Sequence, residues 1–462
     1  MSKTSLSAEA QFDRMTKTPM PRLISSMAMP TVASMLITTL YNMADTYFVS
    51  QISTSASAAV GAVFALMSLI QALGGGFGMG AGSIISRKLG EKKDDEASMY
   101  GSCAFFGALA FGAFIMLFGL IFLTPLMRLL GSTDTMLPYS CDYARYILMA
   151  APVMCSSFVL NNVIRAEGEA VMSMVGLCAG GLLNIALDPL FIFTLGMDIG
   201  GAALATAISQ LISFILMLAM FFRKRSILRI SPRLLSRKIA DYLLILKTGF
   251  PTICRQGLAS VASALMNNQS AVYGDAAVAA ITISNRIYLF VRNIILGIGQ
   301  GFQPVAGYNF GAGIHSRVRE AFRFTTIAGT VVCTAFGIVI WFNAGGIIAW
   351  FRPDDAEVIR IGTTALYFAA GVMPFMAYST YVNQMYQCLG FAKQATFLAS
   401  CRQGVFYIPL VLILPALLDL SGVQLAQPMA DLCTFFISIP FQIRFYRRVT
   451  GQQPERRGSA PG

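Results

Sequence analysis

Charge is scarce in this sequence: only 12% of its 462 residues are Asp, Glu, Lys or Arg, about half the share of a typical soluble domain. With 56% hydrophobic residues and a mean hydropathy of +0.65, such scarcity excludes an array of soluble domains. It points to a polytopic membrane protein whose apolar surface faces lipid. Histidine occurs once, as His315 in a polar loop, which excludes a histidine proton relay or a histidine-built metal cluster. The nine cysteines form no CxxC pair and lie mostly in apolar stretches, so they read as buried thiols rather than as a disulfide framework or zinc site. The N-terminal stretch has Lys3, Arg14 and Lys17 but no apolar core, so no cleavable signal is expected there. No nucleophile constellation or nucleotide motif supports an enzyme. The glycine run Gly74 to Gly82 sits inside a hydrophobic span and lacks the Gly-Lys-Ser/Thr of a phosphate loop, so it reads as close helix packing or a hinge.

What is present is a series of twelve apolar spans, most of them longer than the ~20 residues that a bilayer requires. The expected fold is an all-α polytopic membrane protein with 12 transmembrane helices in two pseudo-symmetric six-helix lobes. Basic residues cluster between spans, at Arg87, Lys88, Lys92 and Lys93 and at Arg223 to Lys238. The net charge of +12 is therefore assigned to the positive-inside rule, not to nucleic acid, and both termini are expected in the cytoplasm. The expected divisions are a cytoplasmic N-terminal segment (1–22), a first lobe (23–222), a basic cytoplasmic linker (223–240), a second lobe (241–446) and a cytoplasmic tail (447–462).

The two halves echo one another. Met29-Pro30-Thr31 returns as Phe250-Pro251-Thr252, and Gly90 returns as Gly311, both 221 residues later. Asn162 to Gly168 returns as Gln384 to Gly390, at an offset of 222. Such spacing marks an internal repeat. An even number of spans per repeat gives both halves one orientation, a layout used by transporters.

One stretch carries chemistry into the apolar interior: Gly180 to Ile192, with Asn184, Asp188 and Pro189. Asn184 and Asp188 are four apart and share a helix face, while Pro189 leaves the Ile185 carbonyl without its helical donor. Converging oxygens at membrane depth suit a small cation or a proton. Two polar groups pinning neighbouring helices beside a proline kink is the alternative.

Asn42 to Val49, Gly78 to Gly90, Arg165 to Gly168, Asn184 to Ile192, Gly200 to Thr206 and Gln303 to Gly313 occur in the order found in the multidrug and toxic compound extrusion (MATE) family. The sequence resembles a bacterial member of that family over about residues 20–450. The resemblance implies two six-helix lobes and export of cationic amphipathic compounds in exchange for Na⁺ or H⁺, with no other cofactor. It places a monovalent-cation or proton site on Asp45, Asn184, Asp188 and Thr206. The seventh-helix acid of one family branch is absent, since Arg255 and Gln256 follow Pro251. In the second lobe Ile408-Pro409 keeps the proline but not the carboxylate, so cation binding is expected in the first lobe alone. Met266, Asn267, Asn268, Gln269, Tyr378, Tyr381, Gln384 and Tyr386 are candidate substrate-cavity residues, because methionines and aromatics adapt to varied flat cations. A monomer in the bacterial cytoplasmic (inner) membrane is expected. Two other functions stay open: a lipid-linked precursor flippase of similar plan, and a membrane-embedded enzyme or receptor without transport.

Overall fold

The computed structural model describes residues 3–222, 226–353 and 355–451. Arg223, Lys224 and Arg225 of the basic linker and residues 452–462 of the tail lie outside the described residues. The described chain is helical: α1 (Lys3–Lys17), α2 (Met20–Ser50), α3 (Thr54–Gly90), α4 (Asp94–Ile121), α5 (Leu123–Leu129), α6 (Leu137–Ala166) and α7 (Ala170–Pro189) come first. They are followed by α8 (Asp198–Phe222), α9 (Ile239–Ala271), α10 (Asp275–Gly311), α11 (His315–Phe351), α12 (Ala356–Cys388), α13 (Ala392–Ser400) and α14 (Tyr407–Gly451). Local chemistry sets several ends. The Ser53 hydroxyl accepts from the Ala56 N–H at 3.0 Å, and one Asp355 oxygen accepts from the N–H groups of Glu357 and Val358, each at 3.1 Å, which satisfies donors that a helix start leaves free. Asp94, Asp95 and Glu96 open α4, where negative charge complements the helix dipole.

Among the described residues, ten segments are long and apolar enough to cross a bilayer, against twelve expected passes, and the difference has physical causes. The segment Ala392–Arg447 is broken at Asp419, whose φ of 50° and ψ of −137° are not helical. Arg402 and Asp431 would stand ~43 Å apart on an unbroken helix; they meet at 2.6 Å across the bend. Helix α9 is 33 residues long but is interrupted by Lys247, Arg255, Gln256 and the run Asn267-Asn268-Gln269. Large apolar side chains cover the outer faces, among them Phe114, Leu117 and Phe118 of α4 and Val331, Ile338 and Phe342 of α11. Lipid is the solvent that such faces require.

Helices α2 to α8 and α9 to α14 form two groups that meet at the end carrying the basic loops. A Cβ on Gly90 would lie 2.0 Å from the Tyr308 carbonyl oxygen, and one on Gly311 would lie 2.0 Å from that of Arg87. The two repeat-related glycines thus let α3 and α10 touch backbone to backbone. Gly76 and Gly249 do the same between α3 and α9, so part of the glycine run serves helix contact. Polar bonds reinforce this end: Arg165 Nη1 donates to Gln300 Oε1 at 2.9 Å and Arg87 Nη1 to the Leu389 carbonyl at 3.1 Å. Towards the opposite end of α3, a Cβ on Gly61 would meet nothing within 4 Å.

The N-terminal segment is an ordered helix seated on that closed end, which its polar composition does not announce. From the first group, α1 takes the Glu167 carbonyl, bonded by Gln11 Nε2 at 2.7 Å, and the Glu169 carboxylate, 3.3 Å from Arg14. From the second, Asn309 Nδ2 donates to the Met15 carbonyl at 3.0 Å and Arg317 Nη2 to that of Thr18 at 2.5 Å.

Glu167, in the turn after α6, is 2% exposed. Burial pushes its carboxyl up to about 8, although the Ser226 hydroxyl and the Ile227 N–H donate to it. The unfolded carboxyl releases its proton near pH ~4.3. Between these values the folded protein holds the extra proton, so stability declines as pH rises to about 8 and levels off above it. Glu167→Gln mimics the protonated form and should flatten this dependence. The check is thermal unfolding of wild type and variant in detergent from about pH 5 to about pH 9. Parallel curves would show that Glu167 does not titrate in this way.

Candidate cation site

Three helices deliver the polar residues of the first group to one buried spot. Helix α7 carries Asn184 and Asp188 one turn apart, α8 carries Thr206 and α2 carries Asp45. After Pro189 the backbone widens into a π-helical turn, Leu190–Thr194, since a proline cannot donate into the regular ladder. Asn184 Nδ2 donates to Asp188 Oδ1 at 3.1 Å and to Thr206 Oγ1 at 3.3 Å. Asp188 is 0% exposed, Asn184 2% and Thr206 4%, whereas Asp45 is partly exposed and forms the accessible side. Asp45 and Asp188 lie within Coulombic range of each other.

A fifth residue, absent from the sequence-based set, completes the spot. Tyr143 of α6 is fully buried. Its hydroxyl donates to Asp45 Oδ2 at 3.4 Å and touches the Thr206 side chain. Nothing in its sequence neighbourhood separates it from a packing aromatic.

Counting donors against acceptors shows what the site lacks. Asp45 Oδ1, Asn184 Oδ1 and Asp188 Oδ2 are all buried and have no hydrogen-bond partner among the described residues. Each such orphan costs ~1–3 kcal/mol. One small cation can take several oxygens at once, and a proton turns a carboxylate oxygen into a donor, so the residues fit either ligand. Beside the site, Tyr41 stands one turn from Asp45 on α2 and lines a small cavity of about 60 Å³ with Thr38, Gln71, Ser157, Gln210 and Ser213. That is room for a few water molecules.

The MatE family pattern matches residues 30–190 and again residues 251–413. The chain belongs to the MatE family. The two matches begin 221 residues apart, the spacing of the internal echoes. Relatives of this MatE chain include the multidrug export protein MepA of Staphylococcus saprophyticus, 28% identical over 405 residues that cover 87% of this chain and 89% of the relative. MepA of Staphylococcus aureus is 27% identical over 408 residues, covering 88% and 90%. Among solved structures, the outward-facing conformation of a multidrug resistance MATE family transporter of the MOP superfamily superposes with a TM-score of 0.89 at 25% identity, covering 95% of this chain and 98% of that one. A MATE crystal structure in complex with MaL6 shares the fold, with a TM-score of 0.90 at 24% identity over 96% and 99% of the two chains. These matches are transporters, not enzymes.

The second-group residues singled out from sequence stand in several different settings in this MatE structure. Asn267 and Asn268 are exposed and Gln269 is partly so, while Met266 packs in a small apolar cluster with Tyr407 and Val411. The Tyr378 hydroxyl bonds Gln442, and that of Tyr386 donates to the Phe441 carbonyl at 2.7 Å. Tyr381 and Gln384 are buried against the glycines of α11 and α10.

Proposed function

We propose that the protein is a secondary antiporter that exports cationic amphipathic compounds in exchange for Na⁺ or H⁺. It would act as a monomer in the bacterial cytoplasmic membrane, with both termini and the basic linker in the cytoplasm. One observation carries the reading: three orphaned acceptor oxygens, on Asp45, Asn184 and Asp188, are buried together beside a small polar-lined cavity. The staphylococcal relatives, named for multidrug export, support it.

The coupling follows from desolvation. With the outer side open, water reaches Asp45 and bare carboxylates are tolerated; closing that side strips the water, and both carboxylates then need a cation or protons. An ion bound there favours one conformation over the other, which is the thermodynamic requirement for coupling. The two helix groups touch backbone to backbone at the basic end, so exchange would proceed by rocking about these contacts. A cationic cargo beside Tyr41 would feel the same negative charge that the ion neutralises, so loading the ion would release the cargo.

Proteoliposomes holding the purified protein test this reading. A Na⁺ or H⁺ gradient, imposed without any other energy source, should drive a fluorescent organic cation across the membrane against its own gradient. Transport that ignores both gradients would reject antiport.

A further inference from the structure

The second group holds a buried charged cluster that the cycle above does not use. Arg402, in the π-helical turn Cys401–Phe406, donates from Nε to Asp431 Oδ1 at 2.6 Å, and the two side chains are 11% and 3% exposed. The Tyr288 hydroxyl links the same pair, accepting from Arg402 Nη2 and donating to Asp431 Oδ2. Gln427 Nε2 adds a bond to Asp431 Oδ1 at 3.2 Å. Asp431 is thus fully engaged. Two more guanidiniums, Arg255 of α9 and Arg292 of α10, lie within Coulombic range of Arg402 and of one another. Neither makes a hydrogen bond or an ion pair among the described residues, and Arg292 Nε is buried without a partner. The cluster therefore holds three guanidiniums and one committed carboxylate, an excess of two positive charges.

Depth makes this excess informative. Arg255 and Arg292 stand midway along the long helices Ile239–Ala271 and Asp275–Gly311, near the bilayer centre, where unpaired charge is most costly. Both are partly exposed, and a guanidinium does not face hydrocarbon at that depth when it can face a wet cleft. Packing alone would be served by apolar residues at either position. The missing component is a negative charge.

We propose that Arg255, Arg292 and Arg402 form an anion-binding site for a carboxylate, borne by an amphiphilic cargo, or for a free anion of the same charge. Asp431 and Tyr288 hold Arg402 in place, and Arg255 and Arg292 supply the free planar donors that match a carboxylate. The two halves of the molecule then differ in sign, with orphaned oxygens in the first and orphaned N–H groups in the second. A molecule bearing both an ammonium and a carboxylate suits such a cleft better than a simple cation does.

The test uses the purified full chain in detergent and reads binding, so its outcome is independent of whether export is ion-coupled. The probes are rhodamine B, which carries a free carboxylate, and its ethyl ester, which does not; fluorescence anisotropy in chloride-free methanesulfonate buffer gives both affinities. The acid should bind about tenfold more tightly than the ester, as expected for one charge-assisted bond. Arg255→Gln and Arg292→Gln should remove that preference and leave ester binding unchanged, while Arg292→Lys should retain part of it. Unfolding midpoints confirm that each variant is folded, and the lysine variant keeps the test open if a glutamine variant is not. Equal affinities for acid and ester, combined with saturable binding of radioactive chloride that both glutamine variants lose, would assign the site to free anions. Neither preference nor chloride binding in wild type, or a preference that survives both glutamine substitutions, overturns the proposal.

Discussion

Asp188→Asn is expected to abolish gradient-driven export while leaving the protein folded and inserted. The side chain is fully buried and the substitution preserves its shape. It also keeps an Oδ1 able to accept from Asn184 Nδ2, the bond now 3.1 Å long. What disappears is one of the two charges that a cation, or the proton that replaces it, must neutralise. Removing one partner from a buried charge pair costs ~3–5 kcal/mol, so ion affinity should fall by at least about 100-fold and export should drop to background. Thr206→Ala removes only a neutral oxygen and should reduce export by about tenfold or less, the worth of a neutral hydrogen bond. Efflux from proteoliposomes, with the inserted amount measured for each variant, gives both numbers. Wild-type efflux from Asp188→Asn would take this carboxylate out of the mechanism, and a Thr206→Ala defect of equal size would invert the order of the ligands.

The site was partly legible because its residues obey short-range rules. Asn184 and Asp188 share a face through the 3.6-residue period, and an acid before a proline inside an apolar run is conspicuous in any membrane sequence. Asp45 and Thr206 needed the family resemblance, since neither is unusual where it stands. Tyr143 was not legible at all: a tyrosine in Leu137–Ala166 is indistinguishable from a packing residue until α6 is laid against α2 and α8, and only then does its hydroxyl meet Asp45. The Arg402–Asp431 pair was hidden for a different reason. It depends on the reversal at Asp419, a non-glycine residue with positive φ that composition does not single out, and the repeat argument looked for a carboxylate only beside Pro409. Helix α1 was missed because it earns its order from tertiary partners on both helix groups rather than from an apolar face of its own.

Export by wild type should respond to Na⁺ and H⁺ as competitors, and Asn184→Ala should separate them. Asp45 and Asp188 can each take a proton, whereas Na⁺ also needs fixed neutral oxygens. Asn184 Oδ1 is the one neutral oxygen among the three orphaned acceptors, and Thr206 Oγ1, 3.3 Å from the Asn184 amide, is the next nearest. Because both ions seek the same carboxylates, apparent Na⁺ affinity should fall as pH is lowered, and drug efflux measured against Na⁺ concentration at several pH values should show the shift. Asn184→Ala deletes a Na⁺ ligand and the amide that orients Asp188, but no titrating group. Its expected phenotype is loss of the Na⁺ response, by about tenfold or more in apparent affinity, with efflux still driven by a proton gradient. A Na⁺ response independent of pH would contradict a shared site, and no Na⁺ response in wild type at any pH would leave a proton-only antiporter. If Asn184→Ala lost both responses together, the amide would be needed to hold Asp188 for proton exchange as well, and the division of labour between the two side chains would fail.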